Sequence, residues 1–87
     1  MNIEMVLKEM VSSLSPQHIT KDSVFGTGDL IKDFGFNSIN LIQLVIHIEN
    51  EFNIEFDDAM LGFERLIQFD NLVEYVKEKV SEVFANE

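Results

Sequence analysis

Ile3, Leu7, Met10, Val11 and Leu14 recur at three- and four-residue intervals with Lys8 and Glu9 turned away, which predicts an amphipathic helix over residues 2–14. Ser15-Pro16 ends it, because a proline disfavours helical backbone in the residue before it. Leu41, Leu44, Val45, Ile48 and Phe52 form a second stripe, opened by two residues with good capping side chains, Asn37 and Ser38, so a helix is predicted over 38–52. Its opposite face bears Asn40, Gln43, His47, Asn50 and Glu51, and Ile39 and Ile46, seven residues apart, border that polar stripe. Phe69, Leu72, Val73, Val76, Val80 and Phe84 give a last stripe over 69–84, with Asp70 at its start, where a negative charge suits the helix dipole. Residues 60–66 are expected to form a short helix before it.

The first two helices are separated by residues 15–37, a stretch with Pro16, Gly26, Gly28 and Gly35 but no sustained period. It reads as a loop crossing the domain, with Val24, Phe25, Leu30, Ile31 and Phe34 tucked inward and a single helical turn around 29–33. So long a connection in a small domain is uncommon and is often functional. Residues 53–60 read as a second connection, with Ile54 and Phe56 pointing inward. No strand-like alternation occurs, so the expected fold is all-α: a small antiparallel four-helix bundle of three main helices plus a short third, with a long loop between helices one and two. The 87 residues fit a single domain, 1–87, and leave no room for another.

Composition narrows the chemistry. There is no cysteine, which excludes disulfides, thiolate metal sites and a thiol nucleophile, so any sulfur chemistry has to come from a cofactor. Sixteen acids against six bases give a formal charge of −10, which opposes nucleic acid and anionic membranes and favours proteins with basic faces as partners. The charge is uneven: residues 1–37 carry net −2 and residues 38–87 net −8. The longest apolar run, over 41–48, is broken by Gln43 and His47, and no basic segment precedes an apolar one at the start. A cytoplasmic, monomeric protein is expected.

For an enzyme the inventory is poor: two histidines, and no nucleophile, base and oxyanion set that can be assembled. His18 sits in a polar stretch and reads as a solvated residue. His47 shares a face with Gln43 and Asn50, where partner contact rivals plain solvation; neither histidine has a second ligand four residues on. Glu49, Glu51, Glu55, Asp57 and Asp58 invite a calcium reading, but no window has the alternating oxygen ligands, central glycine and terminal glutamate of an EF-hand loop. A solvated acidic face, with at most weak divalent binding, fits them better.

The informative segment is Asp33-Phe34-Gly35-Phe36-Asn37-Ser38-Ile39, which runs straight into the strongest helix. A serine at a helix start after a glycine-containing turn exposes its hydroxyl where N–H groups and the dipole favour an attached phosphate. The alternative is that Ser38 only caps the helix. Gly35-Phe36-Asn37-Ser38-Ile39 resembles the attachment motif of acyl and peptidyl carrier proteins, a glycine, an apolar residue, Asp, Ser and then Leu or Ile. The likeness continues through 41–54, which resembles that family's second helix with its Glu-rich end, and through 69–76, which resembles the start of its last helix.

The resemblance implies a carrier, not an enzyme. Ser38, flanked by Asn37 and Gly35, would receive 4′-phosphopantetheine from coenzyme A through a phosphopantetheinyl transferase, and the arm would hold an acyl or aminoacyl group as a thioester. Further partners implied are an acyl- or aminoacyl-activating ligase (an adenylation enzyme) and ketosynthase or condensation-type enzymes, docking on helix two. Ile39, Asn40, Gln43, Ile46, His47, Asn50 and Glu51 are the candidate partner face. Two departures stand out: Asn37 replaces the usual Asp, and Asn40, Gln43 and His47 stand where fatty-acid carriers are typically richer in acids. They point to a discrete carrier of a specialised polyketide or nonribosomal peptide pathway, with a D-alanyl or fatty-acid carrier as the alternative. A non-carrier rival is an acidic helical adaptor binding through the same stripe without need of Ser38. Phe63, Leu66 and Ile67 either line a cargo cleft or fill the core.

Overall fold

The computed structural model describes residues 2–17, 19–56 and 67–85, with the backbone alone at 84 and 85. Three helices account for most of them: α1 (Ile3–Leu14), α2 (Ser38–Phe52) and α3 (Phe69–Ala85), joined after α1 by a 3-10 turn at Lys21–Ser23. The described residues hold no strand, only an isolated bridge between Asp29 and Gln68. The fold is therefore all-α, and the three stripes sit where their periodicity put them. The short helix expected over 60–66 lies outside the described residues, as do Phe63, Leu66, His18, Asp57 and Asp58.

Each helix end has a local cause. Asn2 opens α1 by accepting the Met5 N–H at 3.1 Å. Asn53 closes α2 in the left-handed region at φ 54°, a conformation asparagine tolerates, and the Ile54 N–H then reaches back to the Glu49 carbonyl at 3.2 Å. At the start of α3 the loop supplies carbonyls: Gly28 O accepts from Phe69 N at 2.9 Å and Gly26 O from Asp70 N at 2.8 Å.

α1 packs against both α2 and α3. The core joins Leu7 and Val11 of α1, Leu41, Leu44, Val45 and Ile48 of α2, and Phe69, Leu72, Val73 and Val76 of α3. Val24, Leu30, Phe34, Phe36, Ile54 and Phe56 close it from the connections. An apolar gap of about 10 Å³ remains among Leu30, Leu41, Leu44, Ile48, Phe56 and Leu72, about the room one water needs. Ile67 is half-buried, and its carbonyl accepts the Leu30 N–H at 2.8 Å.

Residues 15–37 are an ordered strap. Asp29 Oδ1 accepts the N–H groups of Ile31 and Lys32, both at 2.8 Å, Asp33 Oδ2 accepts that of Asp29 at 2.7 Å, and Asp33 N closes the turn on Asp29 O at 2.8 Å. This is the helical turn expected around 29–33. Val24, Leu30 and Phe34 point inward as expected; Phe25 and Ile31 do not, being 50% and 44% exposed. Phe25 lies edge-on over Phe34, ring centres 5.3 Å apart, so it covers the core from outside.

Candidate functional site

The strap delivers the start of α2 through Gly35, whose φ of +74° lies in the left-handed region. Glycine is needed there because the residues on either side, Phe34 and Phe36, are both buried and must both turn inward. Two hydrogen bonds fix the approach: buried Ser15 Oγ donates to Phe34 O at 2.7 Å, and Phe36 N donates to Leu30 O at 2.9 Å. A side chain at Gly35 would also press on that of Gln17, its Cβ falling 2.6 Å from Nε2.

Asn37 and Asn40 then form a reciprocal capping box. Asn37 Oδ1 accepts from Asn40 N at 2.9 Å, and Asn40 Oδ1 accepts from Asn37 N at 3.2 Å. Of the two capping residues the sequence offers, the helix uses Asn37. Ser38 stands one position inside, in the first turn and exposed, and its Oγ has no hydrogen-bond partner among the described residues. The N–H groups of Ser38 and Ile39 are likewise without a partner there. A hydroxyl free to react, two open N–H donors and the positive end of a fifteen-residue helix suit a covalently held phosphate.

The expected partner face is divided by the fold. Ile39 and Ile46 are exposed, at 67% and 50%, together with Gln43 and Asn50. Ile42, 52% exposed and part of neither predicted stripe, joins them. Its spacing from Ile39 and Ile46, three and four residues, was the available signal: all three fall within about 60° on a wheel of 3.6 residues per turn. His47 and Glu51 turn to the flank, where with Glu9, Met10 and Leu14 of α1 they line a groove of about 310 Å³. Asn50 also borders an open cleft of about 660 Å³ between the end of α2 and Val83 of α3. Asn40, half-buried, uses its carbonyl oxygen in the cap. Glu49, one of the acids considered for calcium, accepts the Phe56 N–H at 3.0 Å, and no group of three or more acids or histidines among the described residues could hold a metal ion.

The all-α domain offers, at the head of its second helix and beside an apolar face, an exposed serine with no partner among the described residues, the arrangement a carrier of covalently held cargo needs. Residues 7–76 match the family described as phosphopantetheine attachment site. Over 79 residues the chain is 27% identical to an acyl carrier protein of Desulforapulum autotrophicum, covering 91% of this chain and 99% of that one. It is 32% identical over 79 residues to an acyl carrier protein of Cyanidium caldarium, covering 90% of each. Against an acyl carrier protein of Thermotoga maritima it is 32% identical over 62 residues, 71% of this chain and 74% of that one. The chain belongs to the acyl carrier protein family. Its cofactor is covalently attached 4′-phosphopantetheine, it carries without catalysing, and the enzymes it meets are a phosphopantetheinyl transferase and biosynthetic enzymes. No helix among the described residues is long and apolar enough to cross a membrane.

Proposed function

We propose that Ser38 takes the phosphopantetheine arm and that this carrier serves, in the cytoplasm, a specialised pathway of the polyketide or nonribosomal peptide type. The observation that carries the assignment of Ser38 is the Asn37–Asn40 capping box: with the cap supplied by Asn37, the serine hydroxyl has no structural duty and faces solvent. When bound, the arm supplies the thiol on which cargo is held as a thioester, a function this cysteine-free chain lacks by itself.

The chain's own residues do the placing. Gly35 and the buried pair Phe34 and Phe36 set where α2 begins, Asn37 fixes its first turn, and Ser38 presents Oγ to the transferase. The N–H groups of Ser38 and Ile39, open among the described residues, and the positive end of the helix dipole would favour a phosphodiester on Oγ. Asn37, neutral where an acid would repel, keeps like charge away from that phosphate. Ile39, Ile42, Gln43, Ile46 and Asn50 form the docking face, with Asn40, His47 and Glu51 on its flank.

Support for a specialised pathway comes from the same helix, whose residues 38–48 contain no acid. The relatives are acyl carrier proteins, which supports an acyl cargo over an aminoacyl one. Loading would then fall to an acyl-activating ligase and extension to a ketosynthase-type enzyme. The test is intact-protein mass spectrometry after incubation with coenzyme A and a promiscuous phosphopantetheinyl transferase, with Ser38→Ala as control. A gain of one phosphopantetheinyl group, absent in the variant, is expected. A gain that persists in Ser38→Ala moves the attachment elsewhere, and no gain on a folded chain rejects the assignment in favour of the adaptor reading.

A further inference from the structure

We infer that the partner surface recognised by the first three turns of α2 is an apolar, uncharged cleft, so that docking runs on burial of Ile39, Ile42 and Ile46 and not on ion pairs. This deepens the reading of Ser38 as the attachment residue, because an enzyme that reaches Ser38 must cover the turns that follow it.

The charge distribution is the first argument. The chain carries a formal −10, yet α2 from Ser38 to Ile48 has no Asp, Glu, Lys or Arg. All eleven acids of residues 38–87 lie at or beyond Glu49. The two acids of α2 itself are directed elsewhere: Glu49 holds the Phe56 N–H at 3.0 Å, and Glu51 lines the groove against α1. In the strap, Asp29 and Asp33 bind N–H groups of their own turn. A basic patch brought against residues 38–48 would meet no Asp or Glu of that segment.

The second argument is what that surface offers instead. Ile39, Ile42 and Ile46 are 67%, 52% and 50% exposed, while Ile48 of the same helix is fully buried, so the exposed three are surplus to the core. They form one strip about 10 Å long at 1.5 Å rise per residue. Gln43 and Asn50, both exposed and uncharged, flank it and can hydrogen-bond at a rim. A contiguous β-branched strip on a highly charged protein is the mark of an interaction surface, and its complement is an apolar pocket. The net charge still steers approach at low salt, but that effect is screened once the Debye length falls below the size of the contact.

The experiment measures kcat/KM for phosphopantetheine transfer by two transferases, one whose carrier-binding surface is apolar and one whose surface is basic. Each is run between about 0.1 and 1 M salt, where the screening length drops from about 10 to 3 Å. The apolar-faced enzyme should be faster by about tenfold or more, change less than about twofold across that range, and lose about tenfold or more with Ile42→Glu, equivalent to about 1.4 kcal/mol. Circular dichroism should show Ile42→Glu folded, since its side chain faces solvent; Ile42→Val, if needed, gives a milder version of the same loss. A basic-faced enzyme that is equal or faster, a tenfold loss with salt, or an Ile42→Glu protein modified as fast as the parent overturns the inference while leaving Ser38 as the attachment residue. If neither enzyme modifies the parent chain, the reading of Ser38 itself fails and this inference with it.

Discussion

Replacing Asn37 by alanine removes the acceptor that holds the Asn40 N–H at 2.9 Å and leaves the reciprocal 3.2 Å bond from Asn37 N to Asn40 Oδ1 on a loosened turn. Loss of an N-cap of this kind costs about 1 kcal/mol, within a range of about 0.5 to 2. For a chain of 87 residues that is a fall in Tm of about 4–8 °C per kcal/mol. Asn40→Ala alone should cost less, since the N–H it releases belongs to an exposed residue. The double variant should cost less than the two single losses together by about 0.5 kcal/mol, because both bonds secure one junction. Asn37→Asp keeps the acceptor and adds a charge that suits the dipole, so it should match or exceed the parent in stability. Urea unfolding followed by circular dichroism measures these differences. Asn37→Ala should also slow phosphopantetheine transfer: without the Asn37 side chain the neighbouring serine is the next able to cap, and a hydroxyl drawn back onto the helix is no longer presented. If Asn37→Ala is as stable as the parent, or is destabilised yet modified at the parent's rate, then the capping box is not what keeps Ser38 free.

Gly35→Ala should lose about 1–2 kcal/mol, the cost of placing an L-residue at φ +74°, as read by a shifted urea midpoint; an unchanged midpoint would mean the turn relaxes. Ser15→Ala leaves the Phe34 carbonyl, 2.7 Å from Oγ and buried, without its donor, and should cost about 1–3 kcal/mol in the same assay. Ile48→Ala should cost about 2–5 kcal/mol because the side chain is fully buried, whereas Ile46→Ala, half exposed two residues earlier, should stay within about 0.5 kcal/mol; equal losses would contradict the assignment of faces. With formal charge −10, Tm measured by calorimetry should rise from low to physiological salt, and a flat response would show that self-repulsion does not limit stability.

The three main helices were legible because each carries a stripe at helical spacing whose central members are buried, Leu7 and Val11, then Leu41, Leu44, Val45 and Ile48, then Phe69, Leu72, Val73 and Val76, with Ile3, Met10, Leu14, Phe52 and Val80 half-buried at the margins. The strap was legible only in part. Its turn at Asp29 follows from local carboxylate chemistry, but Gly26 and Gly28 bond to the head of α3, a long-range tie that no local pattern encodes, and Phe25 and Ile31 face outward although their apolar character reads as inward. The same holds at the site. Asn37 and Ser38 are equally good caps by residue type, and the choice between them is made by where Gly35 and buried Phe36 let the helix begin. The polar stripe of α2 looked continuous on a wheel; the position of α1 divides it, taking His47 and Glu51 into a groove and leaving the isoleucines with Gln43 and Asn50.

That division lets one fifteen-residue helix hold to the bundle on one arc and leave another arc to solvent. Leu41, Leu44, Val45 and Ile48 hold α2 to the bundle, and the opposite arc of Ile39, Ile42 and Ile46 carries no packing duty. Ser38 sits where the two arcs meet the strap, and the strap ties that point to the end of α1 through Ser15 and to the head of α3 through Gly26 and Gly28. The proposed attachment point is thus tied to all three helices, while the exposed arc beside it can be substituted without touching the core. Substitutions on the exposed arc should therefore alter which enzymes are served and leave Tm unchanged, and substitutions in the strap should lower Tm and transfer together.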